Sequence, residues 1–179
     1  MQDSRVNGRT ASGASQASPP LVATGTPSSW KSRLARISLH TSECLQFLDL
    51  TPLVRDEVRR SGVRSGFVNV QSLHTTTAIL VNENEPLLIS DMKKMLEQAA
   101  PRRRAYRHDD YSIRTVNLAP GESPNGHSHC KAILLGASET LNIVDGSLEL
   151  GRWQSIFLVE LDRPRPRTVS LMILGCAHR

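Results

Sequence analysis

The sequence predicts an α+β fold, a sandwich of mainly antiparallel, mixed β-sheet carrying two or three short helices. Two observations predict it. Segments that alternate apolar and polar residues outnumber those with helical spacing, and successive strand segments are joined by tight turns such as Asp145-Gly146, which makes neighbours antiparallel. A chain of 179 residues suits one domain with an ordinary core, expected from Trp30 to the end. Residues 1–29 are rich in Ser, Thr, Gly, Ala and Pro and nearly lack large apolar side chains, so ordering them would bury little; a disordered tail is expected there.

Leu34, Ile37 and Leu39 among polar neighbours predict a first strand after Trp30. Thr51-Pro52 then offers an N-cap followed by proline at the first helical position, with Val54 and Val58 four apart and Gly62 past the last turn, which defines a short helix. From Val63 to Val81, Val68 and Val70 alternate with Asn69 and Gln71, giving a pair of half-buried strands with His74 to Thr77 between or within them. Leu88, Met92, Met95, Leu96 and Ala99 recur at spacings of three and four, so Pro86 to Ala100 is an amphipathic helix closed by Pro101.

Tyr106 to Gly126 has no sustained period and contains Pro120-Gly121 and Pro124-Asn125-Gly126, the marks of a long loop, and long loops in compact domains tend to be functional. His127 to Leu135 reads as helix or strand; Gly136 as a C-cap favours the helix. Asp145-Gly146 joins Leu141–Val144 to Ser147–Leu150 as a hairpin. Trp153 to Leu161 alternates as a strand, Arg163 to Pro166 turns, and Thr168 to Leu174 is a last strand, apolar on both faces.

Composition narrows the function classes. No run approaches the roughly 20 apolar residues that span a bilayer, and Asp3, Arg5 and Arg9 occupy the place of a secretory apolar region, so a soluble cytoplasmic protein is expected. Three cysteines, odd in number and far apart, fit neither a disulfide framework nor a CxxC site. The formal charge of +5 is concentrated at Arg59-Arg60, Arg102–Arg104 and Arg163–Arg167, a pattern suited to phosphorylated ligands. Aromatic residues make up only 4% of the chain, which argues against the stacking platforms of single-strand nucleic-acid binders. GxGxxG, P-loop, nucleophile-elbow, HExxH and DDxxD patterns are all missing from the sequence.

What remains is a concentration of polar groups. His108-Asp109-Asp110 and Asn125-Gly126-His127-Ser128-His129 share one loop, and imidazole with carboxylate is the usual donor set for a divalent metal such as Mg²⁺ or Zn²⁺. His127 and His129 fall on one side of an extended segment but diverge on a helix, in which case one of them alone reaches a shared ion. The same loop-to-helix junction also presents backbone N–H groups to a phosphate, although a plain turn is the ordinary explanation of Asn-Gly. His74 precedes three threonines, and Asn82 and Glu83 stand where that strand ends.

Four blocks in order, HTTTAILVNENE from His74, YRHDD from Tyr106, NGHSHCKAILLGAS from Asn125 and DGSLELGRWQSIFLVELDRPRPRTV from Asp145, closely resemble the secondary thiamine-phosphate synthase family, also called YjbQ-like proteins. The resemblance runs from about Trp30 to Gly175. It implies an α+β sheet sandwich assembled as a homotrimer, and a reaction joining hydroxymethylpyrimidine diphosphate to thiazole phosphate with loss of pyrophosphate. It also implies a cluster in which His74, Glu83 and Asp109 act as catalytic groups and His108, His127 and His129 as metal ligands. Asn82, Lys131, Trp153, Gln154 and Arg167 are the implied substrate-binding residues, with Lys131 and Arg167 available to neutralise the departing pyrophosphate. A metal-dependent hydrolase of a small phosphorylated metabolite and a non-enzymatic trimeric anion-binding protein stand as alternatives. The geometric expectation common to the two enzymatic readings is that His74, His108 and His129 converge with Glu83 around one polar cavity.

Overall fold

The structure, a computed structural model, describes residues 29–177. The tail expected over 1–29 lies outside the described residues apart from Ser29. In chain order the elements are β1 (Trp30–His40), β2 (Gln46–Asp49), α1 (Thr51–Ser61), β3 (Ser65–Ser72), β4 (Thr77–Glu83), α2 (Pro86–Ala99), a 3₁₀ turn at Arg107–Asp109, α3 (Gly126–Leu135), β5 (Ser138–Val144), β6 (Ser147–Leu148), β7 (Gln154–Glu160) and β8 (Pro166–Cys176). They form a five-stranded sheet of order β1-β8-β3-β5-β6 and a three-stranded sheet of order β2-β7-β4. Every strand pair among the described residues is antiparallel, as the short connections predict.

The two sheets face each other across a core of Val68 and Val70 from β3, Ile79 from β4, Ile156 and Leu158 from β7, and Val169, Leu171 and Ile173 from β8, closed at one side by Val54 and Val58 of α1. On the far side of the small sheet, Ala78, Phe157, Val159 and Leu161 pack with Leu96 of α2 and Ala132 and Leu135 of α3. β7 is therefore apolar on both faces because it is the central strand of a sheet covered on both sides. β8 departs from the sequence reading: Val169, Leu171 and Ile173 are buried, while Met172 points to the uncovered face of the large sheet.

Local chemistry accounts for the ends of the elements. Asp145 and Gly146 both have positive φ, 51° and 77°, the conformation a two-residue hairpin needs. Gly62 closes α1 in the left-handed region with φ 65°. Helix α1 starts one residue earlier than Thr51 as cap suggests: Leu50 is the cap residue, Asp49 Oδ1 accepts the Thr51 N–H at 2.8 Å, and the Thr51 hydroxyl accepts the Ile156 N–H at 2.9 Å, tying the helix to β7. Helix α2 is less immersed than its periodicity predicts, since Leu96 is buried but Met95 is exposed.

β3 and β4, adjacent in sequence, belong to different sheets. The chain crosses between the layers at Leu73–Thr76, and a buried hydroxyl-to-hydroxyl bond between Ser72 and Thr77 pins the crossing. Beneath it lies a buried ion pair joining the sheets, in which Arg167 of β8 donates through Nε and Nη2 to the two oxygens of Glu160 on β7 at 2.6 and 2.5 Å. Both side chains are essentially inaccessible, and Thr41 adds a hydroxyl bond to Glu160 at 2.9 Å. Breaking such a pair strands a charge in the interior. Arg167→Met is expected to lower the unfolding free energy by about 3–5 kcal/mol, read as an earlier urea midpoint, and adding Glu160→Leu to it should recover part of that loss.

Candidate active site: an arginine-lined cavity at the sheet crossing

The crossing segment forms one wall of a cavity of about 760 Å³. Leu73 to Thr76 and Arg163 to Arg167 make that wall; the opposite one is His108, the strap from Arg114 to Glu122, and Asn125 and His129 at the start of α3. Arg163-Pro164-Arg165-Pro166-Arg167 alternates guanidinium and proline, so one short extended turn delivers three cations to the same rim.

The arginines have different duties. Arg167 lines the cavity but spends its guanidinium on Glu160 and on Thr76 Oγ1. Arg165 donates from Nη2 to Asp162 at 2.6 Å and to Thr76 Oγ1 at 2.9 Å, which leaves its buried Nε without a partner. Arg163 approaches Asp162 only to 3.9 Å, and its buried Nη1 is likewise unpartnered. Arg114 holds the strap in shape, donating to the carbonyls of His108, Val116 and Asn117 and forking onto Glu122. These bonds hold the Glu122 carboxyl below the usual carboxylate range.

Three histidines meet here. His108 and His129 stack edge to face with ring centroids 4.7 Å apart. His74 Nε2 accepts the backbone N–H of Thr168 at 2.8 Å, so the proton of the neutral ring must sit on Nδ1. Burial, then the Arg167 and Arg165 charges, keep His74 below the ordinary imidazole value. Burial, followed by His108 and Arg114, does the same to His129. Four buried polar atoms among the described residues find no partner: His108 Nε2, Asn125 Oδ1, Arg163 Nη1 and Arg165 Nε. All four belong to residues lining this one cavity.

Other sequence candidates are placed elsewhere. Asp109 lies behind the site, its Oδ1 accepting the N–H groups of Asn125 and Gly126, each at 2.9 Å; it caps α3 and occupies the position in which a phosphate was considered. Gly126 is required there by protein packing, since a Cβ would stand 2.6 Å from Tyr106 Cβ. His127 diverges from His129, as the helical alternative requires, and is 2% exposed with Lys131 Nζ 3.4 Å from its Nδ1. Lys131 is wholly buried and bonds Glu97 of α2 at 2.8 Å, so it staples two helices and does not face the cavity. Asn82 and Glu83 stand at the opposite end of β4, paired in register with Ser155 and Gln154. The expected convergence of Glu83 with the three histidines does not occur within the chain, because the seven residues of β4 separate Glu83 from the crossing. Gln154 lines a different cavity of about 760 Å³ beside Asp49 and Arg55. Trp153 lies just outside β7 and is exposed, with the Arg152 guanidinium 4.5 Å from its ring centroid.

Within one chain the described residues offer an incomplete donor set for a resident metal ion. His108 and His129 offer two imidazoles, Glu122 is engaged by Arg114, and no three His, Cys, Asp or Glu residues among those described lie close enough together to hold an ion. Sequence reasoning passed over Arg114, Asn125, Arg163 and Arg165 as site residues. The alternating Arg-Pro run was a usable signal, and Asn125 stood in the polar loop cluster as a turn residue; Arg114 carried no signal of its own.

Fold and site together define an α+β two-sheet domain with a cationic, histidine-containing cavity. A family model described as UPF0047 protein, YjbQ-like, matches residues 35–176, and the chain belongs to that family. A UPF0047 protein of Methanothermobacter thermautotrophicus is 40% identical over 139 residues, covering 78% of this chain and 90% of that one. The UPF0047 protein YugU of Bacillus subtilis is 29% identical over 143 residues, covering 79% and 99%. A solved YbjQ-like protein of unknown function from Sulfolobus solfataricus has a TM-score of 0.73 and 32% identity, covering 82% of this chain and 99% of that chain. A hypothetical protein of Aeropyrum pernix follows with a TM-score of 0.71 at 32% identity, covering 80% and 98%.

The buried histidines set a pH dependence. His74, His127 and His129 all have folded values lowered first by burial, so below about 6.5 the unfolded chain takes up protons before the folded one. Stability is complete above that pH and declines as pH falls toward the lowered folded values. His127, the most buried, contributes a slope of at most about 1.4 kcal/mol per pH unit. Urea midpoints measured on acidification from neutral pH should fall, and His127→Gln should flatten part of that fall; a profile without slope contradicts the burial of these rings.

Proposed function

We propose that the cavity binds phosphorylated small metabolites and that its reaction is thiamine-phosphate synthesis, the joining of hydroxymethylpyrimidine diphosphate to thiazole phosphate with release of pyrophosphate in the cytoplasm. The observation that carries the anion-binding part is the gathering of all four unpartnered buried polar atoms, two of them guanidinium N–H groups, at one cavity. The resemblance of the four sequence blocks supplies the choice of reaction.

In this reading Arg163 Nη1 and Arg165 Nε receive the diphosphate, where charge grows as its carbon–oxygen bond breaks. His74, its proton held on Nδ1, donates a hydrogen bond without adding charge. The nucleophile is the thiazole nitrogen itself, so no general base is required. A divalent ion, if held mainly by the diphosphate oxygens with His108 and His129 nearby, would neutralise charge on the leaving group, and Mg²⁺ would suit that role better than Zn²⁺ because it is commonly bound through substrate phosphates with few protein ligands. Purified protein given both precursors and Mg²⁺ should form thiamine phosphate, and His129→Ala should not. Arg163→Ala, which breaks no strong internal bond, should lower the rate by about 10–100-fold with its unfolding midpoint unchanged. No product at any enzyme concentration, or equal rates for the wild type and Arg163→Ala, removes the reading.

The homotrimer belongs to the same proposal. On the uncovered face of the large sheet Leu34 pairs with Met172, and Trp30 and Phe67 share that face, all four exposed. Apolar surface of this kind suits a subunit contact. Light scattering on the eluting protein should give three times the chain mass, and Met172→Asp should reduce it; a monomer at micromolar concentration overturns the assembly.

A further inference from the structure

We infer that Asn125 is the specificity-determining acceptor of the cavity, and that the ligand carries a hydrogen-bond-donating hydroxyl or amine in addition to its anionic group. The inference rests on the anion-binding reading above and deepens it. Asparagine at the cap of a helix ordinarily turns its side-chain oxygen back to a backbone N–H of the first turn. Asn125 is the cap residue of α3, yet its side chain makes no capping bond. The neighbouring donors are met in other ways: Asp109 accepts the N–H groups of Asn125 and Gly126, and the Asn125 carbonyl accepts that of Ser128. The amide Oδ1 is buried with no partner, in a residue that lines the cavity and is only 7% exposed.

The backbone of Asn125 is fixed: its N–H is held by Asp109, and its carbonyl accepts the N–H groups of Ser128 at 2.8 Å and His129 at 3.4 Å. An unmade bond at such a position costs free energy, and a ligand that supplies the missing donor recovers it.

Chemistry then restricts the ligand. Ionised phosphate oxygens are acceptors and cannot satisfy Oδ1, which is also an acceptor. Arg163 and Arg165 provide the opposite kind of orphan, N–H donors without acceptors. The cavity thus presents cationic donors on the turn after β7 and a neutral acceptor at the start of α3, and a molecule satisfying both is an anion at one end and a hydroxyl or amine at the other. A fully ionised inorganic anion without an O–H, such as sulfate, satisfies the arginine side only.

Calorimetric titration of the full chain in EDTA tests this without a metal. Inorganic sulfate, which carries no O–H donor, probes the anion subsite; n-alkyl phosphates and ω-hydroxyalkyl phosphates of matched length, taken as a graded series, probe the acceptor. For at least one length the hydroxyl is expected to tighten binding to the wild type about tenfold. In Asn125→Ala that advantage should fall to about onefold while inorganic sulfate binds as before; the asparagine side chain holds no internal bond at Oδ1, and circular dichroism checks that the variant is folded. Equal affinity within every matched pair for the wild type, with sulfate still bound, shows that Oδ1 serves water alone and overturns the inference while leaving the anion reading intact. A hydroxyl advantage that survives in Asn125→Ala also overturns it. Should inorganic sulfate and every alkyl phosphate fail to bind the wild type, the anion reading falls and takes the inference with it.

Discussion

The arrangement depends on one buried charge pair. Arg167 reaches from the last strand of the large sheet to Glu160 at the end of the small sheet's central strand, and both carboxylate oxygens are taken. Two charges removed from water tolerate little error in geometry, because any loosening leaves them neither solvated nor paired. Where this pair sits, the two sheets must therefore meet at a fixed distance and angle. Thr41 and Thr76, each at a strand edge, complete its hydrogen bonding and bring the ends of β1 and β4 to the same point.

The cavity is a consequence of that fixed point. Once Arg167 and Glu160 are matched, Asp162 is left for Arg165, and the alternating prolines keep the next guanidinium on the same rim with little to bind. The facing wall is organised in a similar way. Arg114 absorbs the carbonyls of its own strap and the Glu122 carboxylate, and Asp109 absorbs the N–H groups at the start of α3. Internal demands are met so completely by these residues that the unmet ones stand out, and they lie where the walls face each other. For the binding proposed above such a site is preorganised, because the surrounding hydrogen bonds already hold its unpartnered groups in place.

Legibility in the sequence followed the range of the interaction. Pro52, Gly62, Gly136 and Asp145-Gly146 act through neighbouring backbone, and the elements they delimit lie close to where the sequence places them. His74, His108 and His129 were recognisable as polar groups in unusual company, and they share the cavity. Glu83 was equally conspicuous, yet strand direction carries it to the far end of the small sheet. Asp109 and Lys131 look like catalytic groups in sequence; the packing of α3 makes one a helix cap and the other a staple to α2.

By itself the sequence determined membership of a two-layer antiparallel class, the places where strands turn, and a supply of imidazole and guanidinium groups concentrated in a few short runs. These follow from periodicity and turn chemistry, which depend on neighbours a few residues apart. Only the tertiary structure decided which guanidiniums are consumed by buried carboxylates and which remain available. That outcome depends on contacts such as Arg165 with Thr76, 89 positions away in the chain, and on the burial that makes an unmade hydrogen bond costly.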